Sequence, residues 1–283
     1  MVYRAGFPPG FLLEVPWLRE VLSFMGPGAL SQPAEQEIGL SHLGIIVGVP
    51  AEVRSLAKHT VTNDEPIYLR DGVTLAVSGV GSRRASLASR TLLRKGATAL
   101  LSWGSAGGLS PKLSPGSLIL PKIIIASDRS VYHVDPSWHK NLCNRLEGQV
   151  DFYTGPLAES ATVVQTSAEK AILFQQTGAI GVDMESASVA AVAKEARVPF
   201  VAVRAVCDSA DMTLPTSVLN ASDEFGRLSF LKLIRGLAGR PTELFLLIHL
   251  ARDYRAAQRT LTLVARLIGS DLLHPQTGRR EQQ

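Results

Sequence analysis

The chain has 283 residues, 46% of them hydrophobic and 19% charged, which suits one large α/β domain with appendages. A formal charge of +4, with few aromatics beside the basic residues, argues against nucleic acid as a partner. Two distant cysteines, Cys143 and Cys207, without metal-ligand spacing exclude a disulfide scaffold and a metal site, and no apolar run approaches the roughly 20 residues of a membrane span.

Residues 1–40 read as an extension rich in Pro and Gly, of no assignable role. Glu14, Pro16, Arg19 and Glu20 interrupt its apolar stretches, which argues against a signal peptide and, with the free cysteines, for a reducing, cytoplasmic setting. The organised domain, 41–238, opens on a buried strand, Leu43 to Pro50, and a helix starts at Ala51. Glu52 therefore falls in the first turn beyond a strand's carboxyl end, where open α/β sheets collect ligands. It also reads as a carboxylate that simply complements the helix dipole. Val73 to Val80 predicts a second strand running into Gly79 and Gly81, then a helix to Lys95 with Leu87, Leu92 and Leu93 inward. Those glycines would let the backbone approach a ligand. Arg84 occupies the third glycine position of a dinucleotide fingerprint, and no Walker lysine follows.

The next strand, Ala97 to Trp103, leads into Gly104-Ser105-Ala106-Gly107-Gly108, read as a loop of amides and one hydroxyl suited to an anion or to sugar oxygens. A tight turn is the plainer reading. Ser105 with His133 and His139 makes no hydrolase triad, because the G-x-S-x-G elbow is absent. Ser117 to Ala126 is rich in β-formers, His133 to His139 a loop and helix start, and Val163-Val164 precede a helix over Ser167–Thr177. Gly181 to Asp211 then reads as strand, crossover helix and buried strand, a βαβ layout. It sets Met184 and Glu185 before the helix and Asp208 just past the second strand. Two carboxylates so placed can divide the work, one holding sugar hydroxyls and one moving a proton. A helix-start Glu and a turn Asp are the alternatives.

Read together, SGVGSRRA (78–85), WGSAGGL (103–109), GVDMESAS (181–188) and VRAVCDSAD (203–211) resemble the motifs of the nucleoside phosphorylase and nucleosidase superfamily, in that family's order. The resemblance spans about residues 43–235 and implies a three-layer α/β/α sandwich around a mixed central sheet, with cleavage of an N-glycosidic bond and no cofactor. It makes Asp208 the acid that protonates a departing purine, Glu185 the grip on the ribose hydroxyls, and Met184 the floor under the sugar. Ser105, Gly107 and Gly81 would line the sugar and nucleophile side, with Val163 and Val164 toward the base. Phosphorylases of this family are expected to carry arginine at positions 52 and 102, where this chain has Glu52 and Ser102. The methylthioadenosine and adenosylhomocysteine nucleosidases carry glutamate at the first, so the resemblance implies that water rather than phosphate attacks, with Glu52 as its base. Arg83, Arg84 or Arg204 supplying a phosphate partner keeps phosphorolysis as the alternative. Val163 stands where those nucleosidases place an aromatic.

The tail, 239–283, predicts a helix from about Thr242 to Ile268. Leu244, Leu247, Ile248, Ala251 and Tyr254 share a face bordered by Arg252, Arg255, Arg259 and Arg266. A basic amphipathic helix can lie on an anionic membrane or pack on its own domain. CDSADMTLP (207–215) and RPTELFLLIHLARDYRAAQRTL (240–261) are similar to the hopanoid-associated branch of the superfamily, whose substrate, adenosylhopane, is a lipid with an adenosine head. That implies a purine nucleoside partner linked to lipid and a tail on the inner membrane face. A homo-oligomer is the expected assembly. A nucleoside-binding module without catalysis would be expected to lack Asp208 or Glu185, and both are present.

Overall fold

A computed structural model describes residues 42–57, 65–70, 72–221 and 243–269. The 1–40 extension and the Arg235 to Thr242 approach to the tail lie outside these residues. From the amino end, the domain runs β1 (Leu43–Val47), α1 (Pro50–Leu56), β2 (Ile67–Arg70), β3 (Val73–Val77), α2 (Ser82–Arg94) and β4 (Ala99–Gly108). Then follow β5 (Leu118–Ile119), β6 (Ile123–Ile125), β7 (Val131–His133), α3 (Pro136–Leu146), β8 (Phe152–Tyr153), β9 (Leu157–Glu159) and α4 (Ser167–Thr177). The order closes with β10 (Gly181–Asp183), α5 (Ser186–Ala196), β11 (Phe200–Asp208), α6 (Thr216–Ala221) and α7 (Glu243–Ile268).

All the strands join one mixed sheet organised on β4. Its first half lies parallel between β1 and β11, and Gly107 and Gly108 pair antiparallel with β10. The core strands β1, β4 and β11 are nearly continuous apolar runs because both of their faces are covered. On one face α2 packs on α5; on the other α7 packs on β11, α1 and α3. This is the expected α/β/α sandwich with a C-terminal helix.

Several local expectations are corrected. The segment from Gly104 to Gly108 is strand, not loop, and β4 continues straight through it. A Cβ at Gly104 would stand 2.6 Å from a Glu52 carboxylate oxygen, so the glycine serves a close approach rather than a turn. The 181–208 stretch is not a βαβ unit of adjacent parallel strands. β10 and β11 sit on opposite edges of β4, and β10 is antiparallel to it. Leu87 is exposed; the inner face of α2 is Ala85, Ser89 and Leu92, one heptad-like stripe. The β-rich run 117–126 breaks into β5 and β6, His133 belongs to β7, and Asp135 caps α3 by accepting the Trp138 amide at 2.7 Å.

The tail helix forms as its period predicts, but a different face packs. Ala257, Leu261, Val264 and Ile268 enter the main core, while Leu244, Ile248 and Ala251 are exposed and Leu247 and Tyr254 half-buried. Phe245 is exposed as well, at 73%. Arg252, Arg255, Arg259 and Arg266 face outward. No helix among the described residues is long and apolar enough to cross a membrane.

Candidate active site

One cleft lies at the carboxyl ends of β1, β10 and β11, beside Ser105 to Gly107 of β4. It is lined by all of the site residues expected from the sequence except Gly81: Glu52, Ser105, Gly107, Val163, Val164, Met184, Glu185 and Asp208. Gly81 reaches it through its amide, which donates to Glu185 Oε1 at 2.8 Å.

Glu52 belongs to α1, three residues after the helix cap, and is 4% exposed. Its Oε2 accepts the amides of Gly48 (3.1 Å) and Val49 (3.3 Å), so the helix-start role is real. Its Oε1 crosses to β4 and accepts the Ser105 amide and the Ser105 hydroxyl, both at 2.8 Å. Four donors thus fix the carboxylate. Only the hydroxyl among them can rotate away, and doing so would open Oε1 to a molecule in the cleft.

Glu185 precedes α5 but does not cap it. Asp183 does, accepting the amides of Glu185 (3.3 Å) and Ser186 (3.2 Å), which frees Glu185 to face the cleft. Asp183 is itself held by buried Arg204, whose Nε donates to it at 2.7 Å. Arg204 also donates from Nη2 to Ser102 Oγ (2.6 Å) and from Nη1 to the Val203 carbonyl (3.0 Å). It is therefore committed to the fold rather than aimed into the cleft, and it does not line that cleft. Neither do Arg83 and Arg84.

Glu185 faces the cleft, and burial of its carboxyl, with Asp183 nearby, pushes it up to about 8. The raised value favours the protonated form in the fold. That stabilisation is complete below the unfolded-chain value near 4.5 and is lost as pH rises through about 8. Glu185→Gln cannot titrate. The melting temperature of the wild type should therefore fall relative to this variant between about pH 5 and 8 and stay parallel above, with a limiting slope of about 1.4 kcal/mol per pH unit. Parallel melting curves throughout that window would refute the assignment.

Asp208 ends β11, opposite Gly107, and is 4% exposed. A Cβ on Gly107 would stand 3.4 Å from Asp208 Oδ2, in ordinary contact, which places the carboxyl directly against β4. Its Oδ1 accepts the Cys207 thiol at 3.1 Å, and its Oδ2 accepts the ammonium of Lys170. Burial, then the neighbouring Asp208, pushes the Cys207 thiol well up, so it stands as a proton donor.

Cys207, Lys170 and Asp183 were not singled out from the sequence, nor were Ser160, Thr162 and Leu214, which complete the cleft wall. Lys170 gave no signal, since a lysine in a helix ordinarily reads as a solvated side chain. Cys207, next to Asp208 at a strand end, was legible by position alone.

A family model, the phosphorylase superfamily, matches residues 42–229. The chain belongs to that superfamily. Among curated superfamily relatives, the 5'-methylthioadenosine/S-adenosylhomocysteine nucleosidase of Buchnera aphidicola subsp. Baizongia pistaciae is 27% identical over 172 residues. That match covers 54% of this chain and 66% of the relative, just short of two thirds of its length. The fold recurs in the crystal structure of a nucleosidase of the same name from Helicobacter pylori with butyl-thio-DADMe-Immucillin-A. The TM-score is 0.58 at 18% identity, over 80% of this chain and 98% of that one. It recurs equally in the native structure of futalosine hydrolase from Helicobacter pylori, with TM-score 0.58, 18% identity and the same coverage of both chains.

Proposed function

We propose that this protein hydrolyses the N-glycosidic bond of a purine nucleoside, with adenosylhopane as its substrate. The observation that carries the reading is the convergence of Glu52, Glu185 and Asp208 on one cleft, with no arginine in its wall among the described residues. Bond cleavage separates charge: the base leaves with the electron pair and the ribose becomes oxocarbenium-like. Asp208 at the inner end delivers a proton to the base, and Glu185 holds the ribose hydroxyls as positive charge builds on the sugar. Phosphate needs cationic partners and would be repelled by Glu52, whereas a turn of the Ser105 hydroxyl frees Glu52 Oε1 to act as a base towards water. The curated relatives are named nucleosidases, which supports hydrolysis over phosphorolysis.

The lipid part of the proposal rests on the tail. Asp253 lies close enough to feel the charge of Asp208, and Tyr254 that of Glu52. Ile248 and Leu244 precede Asp253 on α7 by roughly 8–14 Å of helix axis, at 1.5 Å per residue. Exposed Leu244, Phe245 and Ile248 therefore stand within a lipid's length of the cleft, with outward arginines beside them. Truncating the tail would also remove Leu261, Val264 and Ile268 from the core, so point changes are the cleaner probe.

Phe245→Glu with Ile248→Glu should cut adenine release from adenosylhopane in anionic vesicles at least about tenfold, since burying one such side chain contributes about 1.5–3 kcal/mol. Cleavage of 5'-methylthioadenosine in solution should be unchanged. Equal loss on both substrates, or salt-insensitive vesicle binding by the wild type, would return α7 to a packing role and remove the lipid assignment.

A further inference from the structure

Lys170 is fully buried, and the reaction as described so far does not use it. It rises from the first turn of α4 to Asp208, which lines the cleft. Its three ammonium hydrogens go to Asp208 Oδ2, to the Ser209 carbonyl (2.7 Å) and to the Met212 carbonyl (2.9 Å). A buried ammonium is costly unless paired and fully hydrogen-bonded, and this one is both. Its partner is the carboxyl to which the proposed reaction assigns a proton. That creates a difficulty: a lone aspartic acid, with a usual value near 4, has no proton to give at neutral pH. Ammonium with carboxylate and amine with carboxylic acid are, however, the same pair, differing only in where one proton lies along their hydrogen bond.

We infer that Lys170 is the proton reservoir of the reaction, keeping on the Lys170–Asp208 pair the proton that the leaving base takes. The inference rests on the hydrolytic reading above. As the C–N bond breaks, its electron pair goes to the base. Lys170 Nζ passes a proton to Asp208 Oδ2, and Asp208 passes that same proton on to a base nitrogen. The pair is left as amine and carboxylate. Water attacking the sugar carbon loses one proton as the C–O bond forms, and that proton restores the ammonium, so no co-reactant is consumed. Lys170 never touches substrate; it is a positioning residue that acts through Asp208.

Around the pair stand Cys207 on β11, Asp211 in the following turn, Glu52 and Arg54 on α1, and His249, Arg252, Asp253 and Tyr254 on α7. The Lys170 charge acts directly on Asp211. The same hydrogen bonds fix the 209–212 turn, which explains why a structural role alone must be separated by experiment.

The test is kcat/KM from pH 5 to 9 for wild type, Lys170→Met and Lys170→Arg, with 5'-methylthioadenosine as substrate and p-nitrophenyl riboside beside it. The nitrophenolate leaves without a proton. On the purine nucleoside the wild type should hold a plateau through neutrality, while Lys170→Met should lose about tenfold per pH unit above the carboxyl's own value, since a lone carboxyl then supplies the proton. Lys170→Arg keeps charge and hydrogen bonds but has no proton to give, and should show the same falling profile. On p-nitrophenyl riboside all three should stay within a few fold at every pH. A flat wild-type profile for Lys170→Arg, or a pH-independent loss of the same size on both substrates, overturns the reservoir and leaves only a clamp. Should Lys170→Met fail to fold, Lys170→Arg decides alone. A wild type that cleaves neither compound refutes the activity itself, a result distinct from a failed proton assignment.

Discussion

Asp208→Asn is expected to lower turnover of a purine nucleoside by about 10²–10⁴-fold while the nucleoside still binds, because general acid catalysis is worth that much and the amide keeps the shape. Asp208 is buried at the end of β11, against Gly107 and beside Cys207, so the amide meets the same walls. What changes is charge. The Lys170 ammonium loses its counter-ion, and leaving a buried charge unpaired costs on the order of 3–5 kcal/mol. A lower melting temperature should therefore accompany the kinetic loss, and single-turnover rates should be compared well below it. Turnover near that of the wild type in a folded Asp208→Asn protein would remove Asp208 from the mechanism.

Glu52→Gln should be comparably severe, and in a way that tells water from phosphate. The carboxylate accepts from Gly48, Val49 and twice from Ser105. An amide can accept on one side only, so its NH₂ must confront either the Gly48 and Val49 amides or the Ser105 donors. Each donor left unsatisfied costs about 1–3 kcal/mol, and a base for water is lost at the same time. Release of base into water should fall at least about 10²-fold. An enzyme that keeps its activity after this change but requires phosphate would show that Glu52 is a helix-cap residue and that phosphate is the nucleophile.

The parts of this site set by local order were legible in the sequence. The α4 bounds, Ser167–Thr177, follow from a Thr166–Glu169 capping box and a left-handed Gly178. Met184, Glu185 and Asp208 stand at strand ends, and an abrupt change from apolar to acidic residues marks such ends directly. What escaped depends on partners distant in the chain. Lys170 meets Asp208 across 38 positions, and nothing near Lys170 distinguishes it from a solvated lysine. Gly104 signals a turn by composition, yet its purpose is to admit Glu52, a contact from another element. The placing of β10 and β11 on opposite edges of β4 is a matter of strand order, to which a strand–helix–strand pattern is blind. In α7 the period showed a helix and one apolar face, but the residues that enter the core, Ala257, Leu261, Val264 and Ile268, are set by packing on β11, α1 and α3, elements far off in the chain.

The central claim is that water attacks the sugar, and the product reports it. Purified protein would be incubated with adenosylhopane in vesicles, and separately with 5'-methylthioadenosine, in ¹⁸O-water with and without inorganic phosphate. Free adenine and a sugar carrying ¹⁸O at its anomeric carbon, formed at the same rate whether or not phosphate is present, is the predicted result. A sugar 1-phosphate without ¹⁸O at that carbon, formed only when phosphate is added, would contradict it.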